Sequence, residues 1–278
     1  MEQSELALNS LSQSGNVSIA QRAAGIAAGL RQRRNSLAIV EISKLGGKVT
    51  VHSRSAQHVH IRKEWKGGDD GLRHLRHLTS VTWLSLEDSQ VTDAGLVHLA
   101  GLKNLKYLYF GHSRVKGPGL VHIKPLKNLY HLSLRYMPVE DKWLRHIGEM
   151  THVQSLGLDD TPVTDDSLLL LKKLSNLKVL WLDRSKVTGA GIARLKMFNK
   201  IVKLDLDGLK FPAEDLKHLE ALPNLATLYL NDMPLTDEDL VHLERLKMLR
   251  RLYLAGTKVT PPGVARFNEV LPKVKVSR

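Results

Sequence analysis

The chain has 278 residues, of which 42% are hydrophobic, and a formal net charge of +13 at pH 7. This length and composition allow a sizeable buried core within a single domain. Because the sequence contains no cysteine, disulfide bonds and thiolate metal ligands are excluded and a reducing compartment is favoured.

The N-terminal segment, residues 1–16, is rich in Ser, Asn and Gln and is predicted to be a disordered tail. Its first residues, Met1–Glu5, are acidic and polar, whereas a signal peptide would be basic and then apolar. No stretch approaches the ~20 apolar residues that a membrane-spanning helix needs. A soluble, cytoplasmic protein is therefore expected.

Residues 17–80 are predicted to form an N-terminal cap, since a solenoid must cover its open end. A helical pattern runs from Val17 to Leu45 and ends at Gly46 and Gly47. The apolar residues that can share one face of this helix are Ile19, Ala23, Ile26, Leu30, Leu37, Ile42 and Leu45.

The rest of the cap is predicted to contain two strands and a degenerate repeat. Valines alternate with polar residues on either side of Ser53–Ser55, at Val49 and Val51 and then at Val59. The sequence DDGLRHL of residues 69–75 lies 24 positions before the similar DAGLVHL of the first complete repeat. The cap is therefore expected to pass directly into the repeat array.

A unit of 24 residues recurs eight times without an insertion from residue 81 to residue 272. If the first residue of each unit is position 1, position 4 is always leucine: Leu84, Leu108, Leu132, Leu156, Leu180, Leu204, Leu228 and Leu252. Position 6 is leucine except for Phe110, and position 11 is valine except for Phe211 and Leu235. Each unit is too small to bury its own apolar face and must stack on its neighbours, so this period predicts a solenoid.

Each unit is predicted to contain a strand, a turn and a short helix. The leucines at positions 4 and 6 alternate with outward-facing residues, as in a strand. Leucines spaced three apart from Leu96 onward predict the buried stripe of a short helix. Between them, Thr92 is placed to cap the helix and Asp93 to interact with the positive end of its dipole. After the last unit, residues 273–278 are predicted to form an edge strand whose lysines discourage further pairing.

These columns and the V-T-D-A-G-L phrase of residues 91–96 resemble the leucine-rich repeat family. The likeness is to the variety with a helical convex side, which is seen in many bacterial repeat proteins and is similar to the repeats of F-box-type adaptors. It implies an α/β fold: a right-handed solenoid, or arc, with a parallel β-sheet on the concave face. It also implies protein recognition on that face, without catalytic residues. At position 9, usually asparagine in the family, this chain has Ser, Thr, Met or Leu, so a continuous asparagine ladder is not expected.

Aromatic side chains gather at the outward positions of the predicted concave sheet. They are Trp83, Tyr107, Tyr109, Tyr130, His131, Tyr136, Trp181, Tyr229 and Tyr253. Half-exposed rings suit a strand surface in any case. Several rings on adjacent strands would nevertheless form one patch, which favours their use as a protein interface.

Carboxylates gather on the middle and later strands of the same face. They are Asp159, Asp183, Asp205 and Asp207, with Asp160 and Asp232 beside them. Three explanations are open: a solvated acidic face partly neutralised by Arg184 and Lys203, recognition of a basic partner segment, or a Ca²⁺-type oxygen site. The calcium site is disfavoured because the spacing predicts a row of carboxylates, whereas calcium needs an enclosing cage.

Histidines recur at the 24-residue period on the predicted helical side. They are His74, His98, His122, His146, His218 and His242. Repeat consensus explains this ladder better than a pH-sensitive or metal-binding role does, because helices on the outside of a curved array fan apart. Neither a metal nor a cofactor is expected.

The remaining features concern net charge and catalysis. The positive residues are spread over the cap and the predicted convex side, as in Arg22, Arg31, Lys172 and Lys173, and no groove concentrates them. No nucleophile–base set, phosphate-binding loop or metalloprotease motif occurs, so catalytic residues are not expected.

Together these features predict a non-enzymatic, monomeric scaffold that binds a protein partner with a basic segment on its concave sheet. The alternative is an anion-binding protein that docks nucleic acid or an acidic membrane through its basic cap and convex side.

Overall fold

A computed structural model describes residues 2–13, 17–53 and 56–278 of the chain. Within these residues eleven strands form one open sheet, in which the strand order follows the chain order. The strands are β1 (Lys48–Ser53), β2 (Ala56–His60), β3 (Val81–Ser85), β4 (Tyr107–Tyr109), β5 (His131–Ser133), β6 (Ser155–Gly157), β7 (Val179–Trp181), β8 (Lys203–Asp205), β9 (Thr227–Tyr229), β10 (Arg251–Tyr253) and β11 (Lys275–Ser277). β1 and β2 are antiparallel, and each later neighbouring pair is parallel.

The register of the parallel strands follows the 24-residue period. Leu156 lies opposite Leu132 on one side and Leu180 on the other, so the leucines of position 4 form a continuous buried row. Because side chains alternate along a strand, positions 3, 5 and 7 face the opposite side of the sheet. The result is the predicted leucine-rich-repeat solenoid, with its core between the sheet and the returning segments.

The returning segments on the convex side are helical, but many are 3₁₀ helices. The α-helices of the chain are α1 (Glu2–Ser12), α2 (Val17–Lys44), α3 (Asp141–Gly148), α4 (Asp165–Leu170), α5 (Gly189–Arg194) and α6 (Pro261–Val270). The 3₁₀ segments are Asp70–His77, Asp93–Leu99, Pro118–Ile123, Leu195–Met197, Ala213–Ala221 and Glu238–Leu243. A 3₁₀ helix has three residues per turn, so it places leucines spaced three apart on one buried face.

The N-terminal segment differs from its predicted disorder. Residues 2–12 form α1, which packs against α2, while Met1 and residues 14–16 lie outside the described residues. Glutamate, leucine and alanine in α1 favour a helix, and a neighbouring helix supplies the packing that a short isolated helix lacks. None of the helices within the described residues combines the length and apolarity needed to cross a membrane.

The buried face of α2 also differs from the prediction. Ile26 and Leu37 are 55% and 56% exposed, whereas the buried residues of this helix are Ala23, Ala27, Ala38 and Ile42. Only Ala38 and Ile42 belong to the core cluster of the solenoid. A helix of 28 residues is about 42 Å long, and its buried residues reach the solenoid core only from Ala38 onward.

The turn after each strand has a fixed backbone conformation at position 8. All eight of these residues have positive φ: Asp88, His112, Tyr136, Asp160, Arg184, Gly208, Asp232 and Gly256. At position 9, where the family usually has asparagine, five of the eight units carry a hydroxyl side chain, and Met137, Leu209 and Met233 are apolar. Ser89 Oγ, for example, donates to Leu86 O and accepts from Val91 N, which satisfies the turn locally.

The aspartate of the V-T-D phrase lies in the first turn of its helix, as predicted, and also makes hydrogen bonds that the sequence did not predict. The carboxylate of Asp93 accepts hydrogen bonds from the backbone N–H groups of Lys116, Gly117 and Gly119 in the next repeat, at 2.7–2.9 Å. Thr92 does cap its helix, because its hydroxyl accepts from Ala94 N at 3.3 Å. The same phrase therefore caps one helix and ties two repeats together.

Candidate partner-binding face

The outward positions of β3 to β8 place aromatic and acidic residues side by side on the concave face. Trp83, Tyr107 and His131 are in register at position 3 of three successive strands. At position 5, Gly157 on β6 is in register with Trp181 on β7, which is in register with Asp205 on β8. The aromatic strands and the acidic strands therefore meet near β6.

A depression of about 540 Å³ lies at this meeting point and is called the junction depression here. Its lining residues are Trp83, Glu87, Tyr109, His131, Ser133, Arg135, Gly157, Asp159, Trp181, Asp183 and Asp205. Seven of these were candidate site residues from the sequence, so the fold brings about half of the predicted set into one concavity.

The aromatic wall of the junction depression is a continuous series of ring contacts. The ring centroids of Trp83 and Tyr109 are 5.2 Å apart, and those of Tyr109 and His131 are 4.8 Å apart. His131 and Trp181 are separated by a whole strand, yet their centroids are only 5.7 Å apart. They can meet because Gly157, on the strand between them, has no side chain.

His131 contributes to this wall as a neutral ring. Burial lowers the pKa of His131 to about 4, so the ring carries no charge at neutral pH. Its Nδ1 lies 2.7 Å from Ser155 Oγ, while its Nε2 has no hydrogen-bond partner among the described residues. This pair is poorly suited to nucleophilic catalysis, since Ser155 is only 8% exposed and no carboxylate orients the imidazole.

The acidic side of the depression holds carboxylates that resist ionisation. Burial raises the pKa of Asp205 to about 7, and the charges of Asp207 and Asp183 add to this effect. Burial likewise raises the pKa of Asp183 to about 6, against the opposing effect of the Arg184 guanidinium. Burial also raises the pKa of Asp159. These groups lie close enough to repel one another, so an added cation would stabilise their ionised forms.

Asp183 has one buried oxygen atom without a hydrogen bond among the described residues. Its Oδ2 lies 2.9 Å from the guanidinium of Arg184, and its side chain is only 16% exposed. Its Oδ1 is shielded from solvent and has no hydrogen-bond partner among the described residues. A buried, unpaired carboxylate oxygen is energetically costly, so this atom favours an incoming donor.

The other carboxylates of this face already have partners. Arg184 donates to both oxygens of Asp160 at 2.8 and 2.7 Å, and this hydrogen bonding lowers the pKa of Asp160. Asp207 accepts from the backbone N–H and the side-chain amide of Asn231 at 2.7 and 2.8 Å. Asp207 therefore ties two repeats together, although its place in the column suggested a partner contact.

The remaining aromatic candidates lie around the junction depression. Tyr107 contacts Tyr130, with centroids 4.7 Å apart, on the side of the sheet nearer the strand starts. Tyr136, in a positive-φ turn, stacks on His112 at 4.1 Å. The stacked rings Tyr229 and Tyr253 lie farther along the array, with centroids 4.2 Å apart.

Lys203 joins these later rings to the depression. Its ammonium lies 5.5 Å from the centroid of Trp181 and 4.8 Å from that of Tyr229. One of the three explanations open from the sequence had Arg184 and Lys203 partly neutralising the aspartates, but in the structure Lys203 lies over aromatic rings. The neutralising contacts come instead from Arg184.

Four residues that line the depression were missed by the sequence reasoning. Ser133 and Gly157 occupy position 5, and Glu87 and Arg135 occupy position 7. Their positions in the repeat were a sufficient signal, because positions 5 and 7 face the concavity whatever the residue type. Side-chain chemistry alone does not indicate a glycine, whose contribution is to leave space.

The histidine ladder lies on the convex side, away from this site. Burial lowers the pKa values of His74, His98 and His146. Among the described residues, no group of three or more His, Asp or Glu side chains is arranged to hold a metal ion.

The repeat register, the concave sheet and the convex helical segments define a leucine-rich-repeat solenoid. No protein-family model matches the chain, and a search of curated proteins finds no match either. Among solved structures, an internalin (inlF) from Listeria monocytogenes is 24% identical, with a TM-score of 0.51 over 73% of this chain and 69% of that one. Internalin C2 from the same species is 23% identical, with a TM-score of 0.53 over 74% and 84% of the two chains.

A leucine-rich-repeat protein of Leptospira interrogans is 21% identical, with a TM-score of 0.46 over 74% of this chain and 62% of that one. The two internalin structures support the solenoid architecture of this chain. The repeat variety and the likeness to F-box-type adaptors remain predictions from the sequence.

Proposed function

We propose that this protein is a non-enzymatic, monomeric scaffold that holds a protein partner against its concave sheet. The junction depression is the observation that carries the proposal. Half-buried rings offer contact area that a partner can cover at little entropic cost, since aromatic side chains have few rotatable bonds. The carboxylates beside them supply the polar groups that select the partner.

The charge of this face supports a partner with a basic segment. The chain as a whole has 41 Lys and Arg against 28 Asp and Glu. The junction depression reverses this ratio, because it is lined by four carboxylates and one guanidinium, that of Arg135. A local acidic surface on a basic protein attracts a cationic segment there and disfavours nucleic acid.

The rival function, anion binding, rests on the opposite surface. Arg22, Arg31 and Arg33 are exposed on α2, and Lys172 and Lys173 are exposed on the convex side. These cations are dispersed along the chain, and within the described residues no groove gathers them. The two functions predict different responses to variants on the two faces.

The experiment uses surface plasmon resonance to measure how tightly a captured partner binds to variants of the concave face and of the convex face. Pull-downs from lysate with and without nuclease treatment supply the partner, and the full-length chain is then compared with Tyr107→Ala/Tyr109→Ala. Loss of two adjacent rings should weaken binding by ~2 kcal/mol or more, chiefly through faster dissociation. Circular dichroism should show an unchanged fold, since both side chains are only half-buried.

The matched control is Lys172→Glu/Lys173→Glu, which changes two exposed residues on the convex side. Binding that survives the tyrosine changes but disappears in this control would reject the scaffold proposal. In that case the anion-binding function would be favoured, and binding should then also depend on nucleic acid in the lysate.

A further inference from the structure

We infer that the junction depression is a binding site for one arginine side chain of the partner's basic segment. The inference rests on the proposed function and makes it specific. In the register of position 5, Gly157 lies between Tyr109, two strands before it, and Trp181, on the next strand. The guanidinium is placed above Gly157 between these two rings, with the carboxylates of Asp183 and Asp205 on the Trp181 side.

The carboxylates provide acceptors that this chain leaves open. Asp183 Oδ1 is buried and lacks a hydrogen-bond partner among the described residues. Asp205 lies one strand away at position 5, with one oxygen accepting from Asp207 N at 3.1 Å. Asp205 is in register with Trp181, two residues before Asp183, so the two carboxylates are diagonal neighbours on adjacent strands. Such positions are roughly 7–8 Å apart, a separation that a planar guanidinium can bridge because it has N–H donors on more than one edge.

The chain's own cations already use the same groups at the edges of the depression. Arg184 bridges Asp160 and Asp183, and Lys203 lies over the rings of Trp181 and Tyr229. A cation from the partner would repeat both kinds of contact within the depression. Charge complementarity therefore identifies the occupant, and the resident contacts show which atoms would hold it.

Two features favour arginine over lysine. The available acceptors lie on different strands beside flat rings, and a guanidinium can stack on a ring while it donates in its plane. An ammonium is compact and strongly hydrated, so it would pair with one carboxylate and remain partly solvated. The missing side chain at Gly157 leaves room for the guanidinium between Ser133 and Asp159.

The probe is a capped tetra-arginine peptide, titrated into the full-length chain by isothermal calorimetry. Capped tetra-citrulline has nearly the same shape without the charge, and capped tetra-lysine has the charge without the planar group. We expect tetra-arginine to bind at least about tenfold more tightly than either control peptide. Equal binding of tetra-citrulline would overturn the site, and equal binding of tetra-lysine would overturn its assignment to arginine.

Two variants separate this site from general attraction between a basic peptide and acidic residues. Asp183→Asn/Asp205→Asn removes two carboxyl groups from the depression, whereas Glu214→Gln/Glu238→Gln removes two from exposed positions on the convex side. The first pair should weaken tetra-arginine binding by about tenfold, and the second by less than about twofold. Equal losses in both variants would contradict a defined site.

A third variant tests the shape of the site without changing its charge. Gly157→Val adds a side chain whose Cβ would lie 3.3 Å from both Ser133 Oγ and Asp159 Oδ2, so it partly fills the depression. Tetra-arginine binding should fall by about tenfold or more while thermal unfolding stays cooperative. Unchanged binding would overturn the site.

Failure of this inference can be distinguished from failure of the proposed function. If the captured partner depends on Tyr107 and Tyr109 but is unaffected by Asp183→Asn/Asp205→Asn, the concave face remains the interface and the arginine site is wrong. If the tyrosine changes have no effect on that partner, the proposed function is wrong.

Discussion

Asp205 shows how one carboxyl group can serve recognition at the expense of stability. Its burial on β8 raises its pKa to about 7, so the folded protein holds this proton at pH values where an unfolded chain has lost it. A cation placed against it would reverse the effect and ionise the group. The same carboxyl therefore disfavours the empty face at alkaline pH and favours a basic partner there.

The pH dependence of stability tests this effect through Asp205→Asn. The unfolded-state pKa is near 3.8 and the folded-state value is about 7, so this group's contribution to stability falls as pH rises across that interval. The amide has no such dependence, and its oxygen can still accept from Asp207 N. At alkaline pH, Asp205→Asn should therefore raise the free energy of unfolding. Since the group is partly solvent-accessible, the increase should be about 1–2 kcal/mol, well below the full linkage value.

Urea unfolding of both proteins at several pH values measures this difference. The amount by which the unfolding free energy of Asp205→Asn exceeds that of the unchanged chain should be small near pH 4 and reach its full value above about pH 7. A difference in unfolding free energy that stays constant from pH 4 to pH 8 would show that Asp205 ionises normally in the folded chain.

Individual roles on the concave face could be predicted from the sequence only in part. Asp183 and Asp207 occupy the same position in neighbouring units and carry the same charge. Their environments differ because Asn231 follows Asp207 by one repeat and bonds to it, whereas Asp183 keeps one oxygen unpaired among the described residues. Such differences depend on a side chain 24 residues away, which a column of identical residues does not reveal.

At the scale of the repeat element, the V-T-D phrase joins neighbouring units through side-chain hydrogen bonds. Asp165 accepts from the backbone N–H and the hydroxyl of Thr188 at 2.8 and 2.6 Å. Asp237 makes the same pair of bonds to Thr260, both at 2.6 Å. The 24-residue period thus places an acceptor from one unit beside the unsatisfied donors at the helix start of the next.

Asp165→Ala tests this tie between repeats, with Asp166→Ala as the matched control. Both aspartates lie in the first turn of α4, so both substitutions lose a similar interaction with the helix dipole. Asp165→Ala should cost about 1–2 kcal/mol, because it also leaves the donors of Thr188 unpaired. Asp166, whose side chain is 80% exposed and pairs with Arg194, should cost about 0.5 kcal/mol or less.

The measurement is the free energy of unfolding from urea titration of the three proteins. Equal losses for the two variants would support the dipole role that the sequence suggested and would contradict the tie.

The order of strand, turn and helical return was predictable from the apolar columns. The hydrogen bonds that tie neighbouring repeats were not predictable. A carboxylate at a helix start can interact either with the dipole of its own helix or with the donors of the next repeat, and only the stacking of units selects between these partners.

At the scale of the whole molecule, the stacking of units determines both shape and function. The 24-residue period alone predicted the solenoid, and the structure has it as an ordered array of eleven strands. The N-terminal end was less predictable because it does not repeat. The apolar pattern of α2 could not indicate which part of a 28-residue helix would meet the core, so Ile26 and Leu37 were assigned to a buried face that they do not join.

The overall shape gives the last prediction. Ten successive strand spacings of about 4.8 Å extend the sheet by roughly 48 Å, and an arc with an open concave side places its mass farther from its centre than a sphere does. A globular chain of this size has a radius of gyration near 19 Å, and small-angle scattering should give a larger value with an elongated distance distribution. Light scattering on the same sample should give the 31.1 kDa mass of one chain. A radius of gyration at or below the globular value would contradict an extended array in solution.

A mass of twice one chain would contradict the monomer. If dimerisation covered the concave face, it would also remove the surface on which partner binding depends.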